Sequence, residues 1–293
     1  MPEFPDVTIY VESLQQRIAG RSLERIRFTS PFVLRSVDPP IDEAEGKRVI
    51  SVRRIGKQIV WQMEGELFLV FHLMIAGRFH WKKVGAKASG KIGLAAFDFP
   101  EGTLLFTEAS SKKRASLHLV RGESGLAQFN KGGIEVFEST MEEFGRVLRS
   151  ENHTLKRALT DPHLFSAIGN AYSDEILHRA GLSPLLLTRK IGDLQLQSLF
   201  ESTRAILLEW TDRLRIQTGS GFPEKVTAFH AEMAVHGKFG KPCPVCGTKV
   251  QRIVYAENEC NYCPKCQTGG KLLADRSLSR LLKDDWPRTI DEL

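Results

Sequence analysis

The sequence predicts an α+β protein with several folded parts: an N-terminal β-sandwich with a flanking helix, a helical domain, and a C-terminal hairpin held by cysteines. Three observations support this prediction. Short β-rich runs separated by glycines fill residues 1–122, helical periodicity begins near residue 138, and two Cys-x2-Cys pairs come after it. The sequence contains no internal repeat and no low-complexity tract.

The composition is typical of a folded chain with room for two domains and a small module. Of the 293 residues, 42% are apolar and 26% are charged, which excludes an intrinsically disordered protein. A bilayer-spanning segment needs about 20 consecutive apolar residues, and the sequence has no such run. The first residues lack the basic start and apolar run of a signal peptide, so we expect a cytoplasmic protein.

Positive charge is concentrated in the first half of the chain. The formal net charge is +6, and three segments carry basic residues with no acid between them. Each segment alone is most simply a solvated surface, but the three together favour a face that binds phosphates. Their basic residues are Lys47, Arg48, Arg53, Arg54 and Lys57; Arg78, Lys82, Lys83, Lys87 and Lys91; and Lys112, Lys113 and Arg114.

An amphipathic helix is predicted ahead of the sandwich. Val7, Val11, Leu14 and Ile18 recur at helical spacing and give residues 7–18 one apolar face. Glycines between the β-rich runs that come next supply the turns of a β-sandwich. These runs are Ile50–Val52, Ile59–Trp61, Leu67–Phe71 and Leu104–Phe106.

The second half of the chain changes from strand to helix patterns. Residues 123–137 contain three glycines and are predicted to be a linker, and residues 217–228 are predicted to be a mobile loop. Helices are predicted over 141–149, 155–159, 173–180 and 193–208, the first capped by Ser139 or Thr140. The predicted domains are the sandwich at 1–122, a helical domain at 138–233, the cysteine hairpin at 234–267 and a tail at 268–293.

Four late cysteines predict a metal site. Cys243, Cys246, Cys263 and Cys266 form two Cys-x2-Cys pairs separated by sixteen residues, and each pair can hold one side of a tetrahedral Zn²⁺ ion. Free reduced thiols are the alternative, and the spacing argues against them. Because four thiolates leave no open coordination position, one structural zinc ion is expected, with Cys260 outside the ligand set.

Several motifs occur in a fixed order along the chain and carry a family resemblance. They are Met1–Val7 (MPEFPDV), Gly56-Lys57, His72–Gly77 (HLMIAG), Leu155–Leu159 (LKRAL), Ile168–Glu175 (IGNAYSDE) and the cysteine pairs. This combination resembles the formamidopyrimidine-DNA glycosylase/endonuclease VIII family of base-excision repair. The resemblance implies a sandwich and a helix–two-turn–helix domain flanking a DNA groove. It also implies a monomeric, nucleoid-associated glycosylase/AP lyase that acts on double-stranded DNA with damaged bases or abasic sites.

The resemblance implies catalytic roles for Pro2, Glu3 and Lys57. A lyase needs an amine that attacks C1′ of the sugar and forms a Schiff base. An α-amine titrates near ~8 and a lysine near ~10.4, so the Pro2 amine, freed by loss of Met1, is the better nucleophile at neutral pH. Glu3 would protonate the sugar ring oxygen. In isolation Pro2 would only shape a chain terminus; the accompanying motifs favour catalysis.

Three residues are expected to contact DNA phosphates by the same resemblance. Lys57 is expected to clamp the phosphate beside the lesion, the alternative being an ordinary surface lysine. Asn170 precedes a predicted helix, where an amide can bind phosphate or serve as an N-cap. Lys156 is a weaker candidate for the same groove.

The gap left by an extruded nucleotide is expected to be filled by an apolar side chain. Alignment on His72 and Gly77 offers Met74 and Ile75, either of which could instead be a core residue. The family's arginine-arginine-phenylalanine-glycine wedge loop is replaced by Ser111–Ser116, whose Lys112, Lys113 and Arg114 keep the positive charge and lose the aromatic ring.

Other departures from the family pattern keep alternative functions open. Asp6 replaces a glutamate, Asn258 replaces the finger arginine, with Lys249 or Arg252 as possible substitutes, and the 217–228 loop lacks a threonine-rich stretch. A lyase-only or damage-binding protein is therefore the second hypothesis. A zinc-ribbon interaction protein is the third, and it leaves the N-terminal motifs unexplained. The tail, with Leu278, Leu281, Leu282 and Trp286, is predicted to form an amphipathic helix.

Overall fold

A computed structural model describes residues 1–88, 90–224, 226–227, 229–255, 258–274 and 288–292. The chain divides into two compact units. Unit 1 comprises Met1–Lys131 and Trp210–Ala228, and unit 2 comprises Gly132–Glu209 and Phe229–Leu293. No helix among the described residues is both long and apolar enough to span a membrane.

Unit 1 begins with helix α1, Phe4–Ile18. Its start is fixed by a reciprocal capping box, in which the Glu3 N–H donates to the Asp6 carboxylate and the Asp6 N–H donates to the Glu3 side chain. Pro5 lies in the first turn, where its missing N–H has no cost. The helix therefore begins three residues before the predicted Val7.

Two antiparallel four-stranded sheets follow α1 in unit 1, as the β-rich runs predict. One sheet has the order β1-β6-β7-β5 and the other the order β2-β3-β4-β8. The predicted runs lie in β2, β3, β4 and β7. The strands are β1 (Arg25–Phe28), β2 (Val49–Ile55), β3 (Gln58–Met63), β4 (Leu67–His72), β5 (Gly77–Lys82), β6 (Gly93–Phe99), β7 (Gly102–Glu108) and β8 (Ser116–Arg121).

Aromatic side chains from both sheets fill the core between them. Trp61 on β3 and Phe71 on β4 lie 4.7 Å apart, and both pack edge-on against Phe97 of β6, at 5.4 and 5.3 Å. Burying one such ring contributes roughly 1.5–3 kcal/mol. α1 adds Tyr10, which packs edge-on against Phe79, so the start of the chain is attached to the sandwich.

Unit 2 combines short helices with a two-stranded hairpin. Of the two predicted N-cap residues of α3, Ser139 and Thr140, the structure has Thr140. Its side chain accepts the Glu143 N–H at 3.1 Å. The remaining elements are α2 (Gly122–Ala127, in unit 1), α3 (Met141–Ser150), α4 (Leu155–Thr160), α5 (Asn170–Arg179), α6 (Asp193–Thr218, which belongs to unit 1 from Trp210 onward), β9 (Gln251–Tyr255), β10 (Asn258–Tyr262) and α7 (Pro264–Thr268).

Two sequence-based boundaries differ from the structure. Helix α2 occupies the first part of the predicted 123–137 linker, because Leu126 is buried and packs with Val70 and Val120 of the sandwich. Helix α6 continues past Leu208 to Thr218, since Trp210 and Thr211 are buried and prolong its packed face. The apolar residues of the predicted tail helix lie outside the described part of the chain.

Candidate functional site

The start of α1 brings ionisable groups together around the chain's α-amine. Glu3 and Asp6 are buried and adjacent, the Glu3 N–H donating to Asp6 Oδ2 at 2.9 Å. Burial lowers the pKa of the α-amine of Met1. Glu3 and Asp6 oppose this shift, and the charges of Arg78 and Lys57 add to it. An amine with a lowered pKa is more often unprotonated, and therefore nucleophilic, at neutral pH.

Asp6 differs from its neighbour because one of its oxygens is unpaired. Its carboxyl group is fully buried, and Oδ1 has no hydrogen-bond partner among the described residues. Burial raises the pKa of Asp6 to about 7, against the opposing bond from the Glu3 N–H. Asp6 can therefore exchange a proton near neutral pH.

Asp6 also lines a cavity of about 380 Å³. The last turn of α6 and the segment after it form the opposite wall. Arg17 of α1 holds this segment, donating to the carbonyls of Ser220 at 3.1 Å and Gly221 at 2.7 Å and lying over the Phe222 ring. The other lining residues are Ile9, Leu214, Gln217, Thr218, Phe222, Pro223, Glu224 and Val226.

Lys57 lies in the tight turn between β2 and β3, where Gly56 has a φ of 55°. His72, at the end of β4, is in register with Gln58 and thus beside this turn. Its Nδ1 accepts the Met74 N–H at 3.0 Å, which leaves a proton on Nε2. Burial lowers the pKa of His72 to about 4, with further lowering by Lys57, so the ring is neutral.

His72 is a further candidate for this site that the sequence analysis did not single out. Its charge environment includes Lys57 and the chain's amine. Its sequence signal is its place at the head of the His72–Gly77 motif, in which the apolar residues supplied the predicted wedge candidates.

The turn after His72 separates the two apolar wedge candidates. Ile75 is 61% exposed, which excludes it from the core, whereas Met74 is half-buried with a φ of 52°. Gly77 closes the turn, because a Cβ there would lie 2.2 Å from the Leu73 carbonyl oxygen. This geometry favours Ile75 as the residue presented outward.

The basic loop after β7 is anchored by a buried carboxylate. Glu108 accepts the N–H groups of Arg114 at 3.0 Å and Ala115 at 3.1 Å. The Lys113 ammonium donates to the Glu108 carbonyl, so it is engaged within the loop. Lys112 and Arg114 are exposed and keep their charges toward solvent.

Some residues of the basic clusters form ion pairs with acidic residues that lie elsewhere in the sequence. Arg48 pairs with Glu64 at 3.0 Å and Lys82 with Glu224 at 2.6 Å. Neighbouring strands and loops supply these carboxylates, so part of the first and second clusters is neutralised. The expectation that all three clusters form one free phosphate-binding face is therefore too broad.

In unit 2, Asn170 is the first helical residue of α5, and Gly169 occupies the N-cap position. The N-cap alternative for Asn170 is therefore wrong. Its Nδ2 donates to the Glu259 carbonyl of β10 at 2.9 Å, which fixes the amide between the helix and the hairpin.

Lys156 does not have the exposed position expected of a phosphate ligand. It is 4% exposed, and its ammonium donates to the Asn170 carbonyl at 2.6 Å, Ser173 Oγ at 2.8 Å and Asp174 Oδ1 at 2.5 Å. All three N–H groups of an ammonium are thus used. Lys156 positions the start of α5 and is not available to DNA in this arrangement.

The four cysteines converge as their spacing predicts. Their sulfur atoms all lie within 4.8 Å of one another, with Cys243–Cys266 at 4.0 Å and Cys246–Cys263 at 3.4 Å. Zinc bonds of about 2.3 Å in a tetrahedron place sulfurs about 3.8 Å apart, so the cluster fits one Zn²⁺ ion. Cys260 is buried in β10 outside this cluster, and burial raises its pKa well above the usual value.

Helix α5 anchors the segment that leads into the cysteine hairpin. Both Asp174 oxygens are bonded: Oδ1 by Lys156, and Oδ2 by His236 Nδ1 at 2.8 Å and the Asn261 N–H at 3.1 Å. The Glu175 carboxylate accepts three successive backbone N–H groups, those of residues 234–236. The hairpin is therefore held by side chains from a different element of unit 2.

Asn258, which stands where the family pattern has an arginine in the zinc finger, is the first residue of β10. Asn258 pairs with Tyr255 in the hairpin register, and its side chain lies outside the described part of the structure. Arg252 forms an ion pair with Glu259 at 3.3 Å and lies over the Phe239 ring. This possible substitute is therefore already paired within the hairpin.

Three family models match successive parts of the chain. The formamidopyrimidine-DNA glycosylase N-terminal domain matches residues 1–115, and the formamidopyrimidine-DNA glycosylase H2TH domain matches residues 134–218. The zinc finger found in FPG and IleRS matches residues 240–269. The matches cover the catalytic candidates, α3 to α6 and the four cysteines.

Curated proteins with similar sequences carry related names. The formamidopyrimidine-DNA glycosylase of Solibacter usitatus is 30% identical over 275 residues, which cover 91% of this chain and 99% of that protein. An uncharacterized formamidopyrimidine-DNA glycosylase-like protein of Mycobacterium tuberculosis is 38% identical over 160 residues, 55% of this chain and 99% of that protein.

Solved structures of similar fold contain DNA. A complex between the Lactococcus lactis Fpg and an abasic site containing DNA has a TM-score of 0.81 at 26% identity, covering 91% of this chain and 99% of that one. A complex of the same protein with an oxidized pyrimidine containing DNA has a TM-score of 0.80 at 26% identity, covering 91% and 100%.

Proposed function

Because the chain belongs to the formamidopyrimidine-DNA glycosylase family, we propose that it excises oxidised bases from double-stranded DNA and cleaves the resulting abasic site. The observation that carries this proposal is the cluster of Glu3, Asp6, Lys57 and Arg78 around the chain's first nitrogen. Removal of Met1 converts the Pro2 nitrogen into a secondary amine at this place.

The reaction assigned to this cluster uses the Pro2 nitrogen as nucleophile. It attacks C1′, and the glycosidic bond breaks so that the base leaves with the bonding electron pair and takes up a proton. Glu3 protonates the sugar ring oxygen as the C1′–oxygen bond opens, which gives the iminium form of the Schiff base. Loss of a C2′ proton then expels the 3′ phosphate, and β- or β,δ-elimination completes strand cleavage.

The phosphates beside the lesion require donors around this amine. Lys57 supplies a compact charge from the β2–β3 turn, and the neutral His72 ring offers its Nε2–H from the neighbouring strand. Independently of this amine, unit 2 offers the Asn170 amide as a neutral donor at the start of α5, where the helix dipole favours an anion. Lys112 and Arg114 add charge for the same polyanion.

We assign the cavity beside Asp6 to the extruded base. Its volume of about 380 Å³ lies within the range of pockets for small ligands, and its lining includes Asp6, whose charge acts on the chain's amine. Asp6, protonated or ionised near neutral pH, can donate to or accept from a base edge. Ile75, exposed on the turn after β4, is assigned to the gap left in the stack.

The proposal includes a role for each of the predicted domains. Residues 1–122 would carry the chemistry, 138–233 and 234–267 would bind DNA, 123–137 would link them, and 268–293 would form a tail. One structural Zn²⁺ held by the four cysteines supports the hairpin. The protein acts as a monomer, and a cytoplasmic, nucleoid-associated location agrees with a DNA substrate.

Borohydride reduction separates this function from a lyase-only protein, which the missing aromatic wedge and Asn258 favour. The purified protein is incubated with one duplex that carries an oxidised base and with a matched duplex that carries an abasic site. A covalent protein–DNA adduct on both supports the bifunctional enzyme. An adduct on abasic DNA alone supports lyase-only chemistry, and binding of both duplexes without any adduct supports a damage-binding protein.

A further inference from the structure

A buried histidine outside the hairpin contacts one of the zinc ligands. His178 lies in the last turn of α5 and is 8% exposed. Its Nε2 is 3.3 Å from the Cys243 sulfur, within hydrogen-bond range for sulfur. Cys243 is itself buried, so this contact is shielded from water.

The chemistry of a zinc thiolate fixes the direction of this bond. A cysteine bound to Zn²⁺ has lost its proton and can only accept a hydrogen bond. The imidazole must therefore carry its proton on Nε2 and donate it to the sulfur. A buried ring nitrogen also needs a partner, and the sulfur supplies it.

Other sulfur atoms of the cluster receive their hydrogen bonds from within the hairpin. Thr248 bonds the Cys246 sulfur through its hydroxyl and its backbone, and the Cys266 N–H donates to the Cys263 sulfur at 3.5 Å. Four thiolates carry more negative charge than one Zn²⁺ ion neutralises, so each donor stabilises the cluster. The donor to Cys243 comes instead from α5.

We propose that His178 is a positioning residue of the zinc centre: it donates its Nε2–H to the Cys243 thiolate, retains the metal and joins the cluster to helix α5. The same helix bonds the hairpin at Asn170 and Asp174, so contacts recur at every fourth residue along one face. Zinc retention thereby depends on a residue outside the four ligands and outside the hairpin.

Two substitutions separate hydrogen bonding from packing. His178→Phe keeps a planar ring and removes the donor, whereas His178→Gln keeps an N–H of similar reach. We expect zinc release into excess chelator to be about 10–100-fold faster for His178→Phe and within about threefold of wild type for His178→Gln. His163→Phe, at an exposed position of unit 2, is the control and should release zinc at the wild-type rate.

Spectroscopy of the metal-substituted full-length protein tests the same bond. A donated hydrogen bond stabilises the sulfur lone pairs, so the sulfur-to-cobalt charge-transfer band of the Co²⁺ form should move to lower energy in His178→Phe. An unchanged band together with wild-type zinc release would overturn the proposal. So would a His178→Gln variant that releases zinc as fast as His178→Phe, since packing would then explain both.

The wild-type protein allows a test that does not depend on variants folding. In a ¹¹³Cd²⁺-substituted sample, a hydrogen bond to a metal-bound sulfur transmits scalar coupling from cadmium to the donated proton. We expect a ¹¹³Cd correlation to the Nε2 proton of His178. Its absence, with the ring proton otherwise observed, would contradict the bond.

Discussion

Two pairs of buried carboxylates, one at the start of α1 and one in the middle of α5, differ in how completely they are hydrogen-bonded. At Asp6, Oδ2 accepts the Glu3 N–H, while Oδ1 has no partner among the described residues. At Asp174 and Glu175, all four carboxylate oxygens accept bonds from side chains or backbone N–H groups. Both pairs are shielded from water to a similar degree.

The difference separates a group kept ready for chemistry from a group used to build structure. An unpaired buried oxygen costs free energy, and folded proteins keep such groups mainly where they serve a function. A fully bonded carboxylate in a low-dielectric interior fixes its partners instead. We therefore expect substitutions at the α5 pair to lower stability, and substitutions around the α1 pair to change catalysis or to raise stability.

The largest effect is expected from Asp174→Asn. The change leaves the buried Lys156 ammonium without its counter-charge and puts an amide where two N–H donors converge. The free energy of unfolding, measured by urea denaturation, should fall by about 3–5 kcal/mol. Glu143→Gln, which removes an exposed ion pair with Arg146, is the control and should cost less than about 1 kcal/mol. A loss at Asp174 as small as the control would contradict its structural role.

Lys57→Gln should give the next largest effect, on catalysis and not on stability. Loss of one charged hydrogen bond to phosphate should lower kcat/KM on abasic DNA about 10–100-fold. The slope of log affinity for DNA against log salt concentration should also become smaller by about 1, the contribution of one phosphate contact. Lys131→Gln removes an exposed lysine between the predicted domains and serves as the matched control. A decrease equal to that of the control would show that Lys57 contributes only general charge.

Asp6→Asn should raise the free energy of unfolding at neutral pH, by less than Asp174→Asn lowers it. Because burial raises the Asp6 pKa to about 7, the folded protein binds the proton more tightly than the unfolded chain does. Wild-type stability should therefore fall as the pH rises from about 4 to about 7 and then level off. The amide introduced by Asp6→Asn does not ionise, so the variant does not undergo this loss. Its free energy of unfolding should equal that of wild type at about pH 4 and exceed it by about 1–3 kcal/mol at about pH 8.

Asp98 provides the matched comparison with reversed sign. Burial alone would raise its pKa, but hydrogen bonds from Arg27 and Thr103 override burial and lower it. Its ion pair contributes stability above the unfolded pKa that is lost as the pH falls. Asp98→Asn should therefore be less stable than wild type at about pH 8, and the difference should close as the pH falls below the unfolded pKa of about 4. Parallel pH profiles for the Asp6 and Asp98 variants would refute the assignment at Asp6.

Local patterns predicted the parts of the molecule that depend on local spacing. The four cysteines, helix α1 and strands β2, β3, β4 and β7 rest on spacings within a few residues, and the structure contains them. Strands β1, β5, β6 and β8 were not predicted, because partly polar runs such as Gly77–Lys82 become strands only by pairing with distant neighbours.

The environments of Lys156, Arg48 and His178 depend on residues distant in the sequence, so local patterns did not predict them. Lys156 has the charge expected of a phosphate ligand. It is buried because Asp174, on the neighbouring helix α5, forms an ion pair with it. Arg48 lies in a sequence segment without acids, yet Glu64, just after the end of β3, forms an ion pair with it. His178 carried no local signal, because its partner Cys243 lies in the distant hairpin.

The identity of the nucleophile tests the central claim most directly. Wild-type protein is trapped with borohydride on abasic DNA, digested, and analysed by mass spectrometry for the peptide that carries the sugar. The account predicts that the mature chain begins at Pro2, that the adduct maps to the Pro2 nitrogen, and that an added N-terminal residue abolishes the adduct while DNA binding persists. An adduct on Lys57 or another lysine, or undiminished trapping by the extended protein, would contradict it.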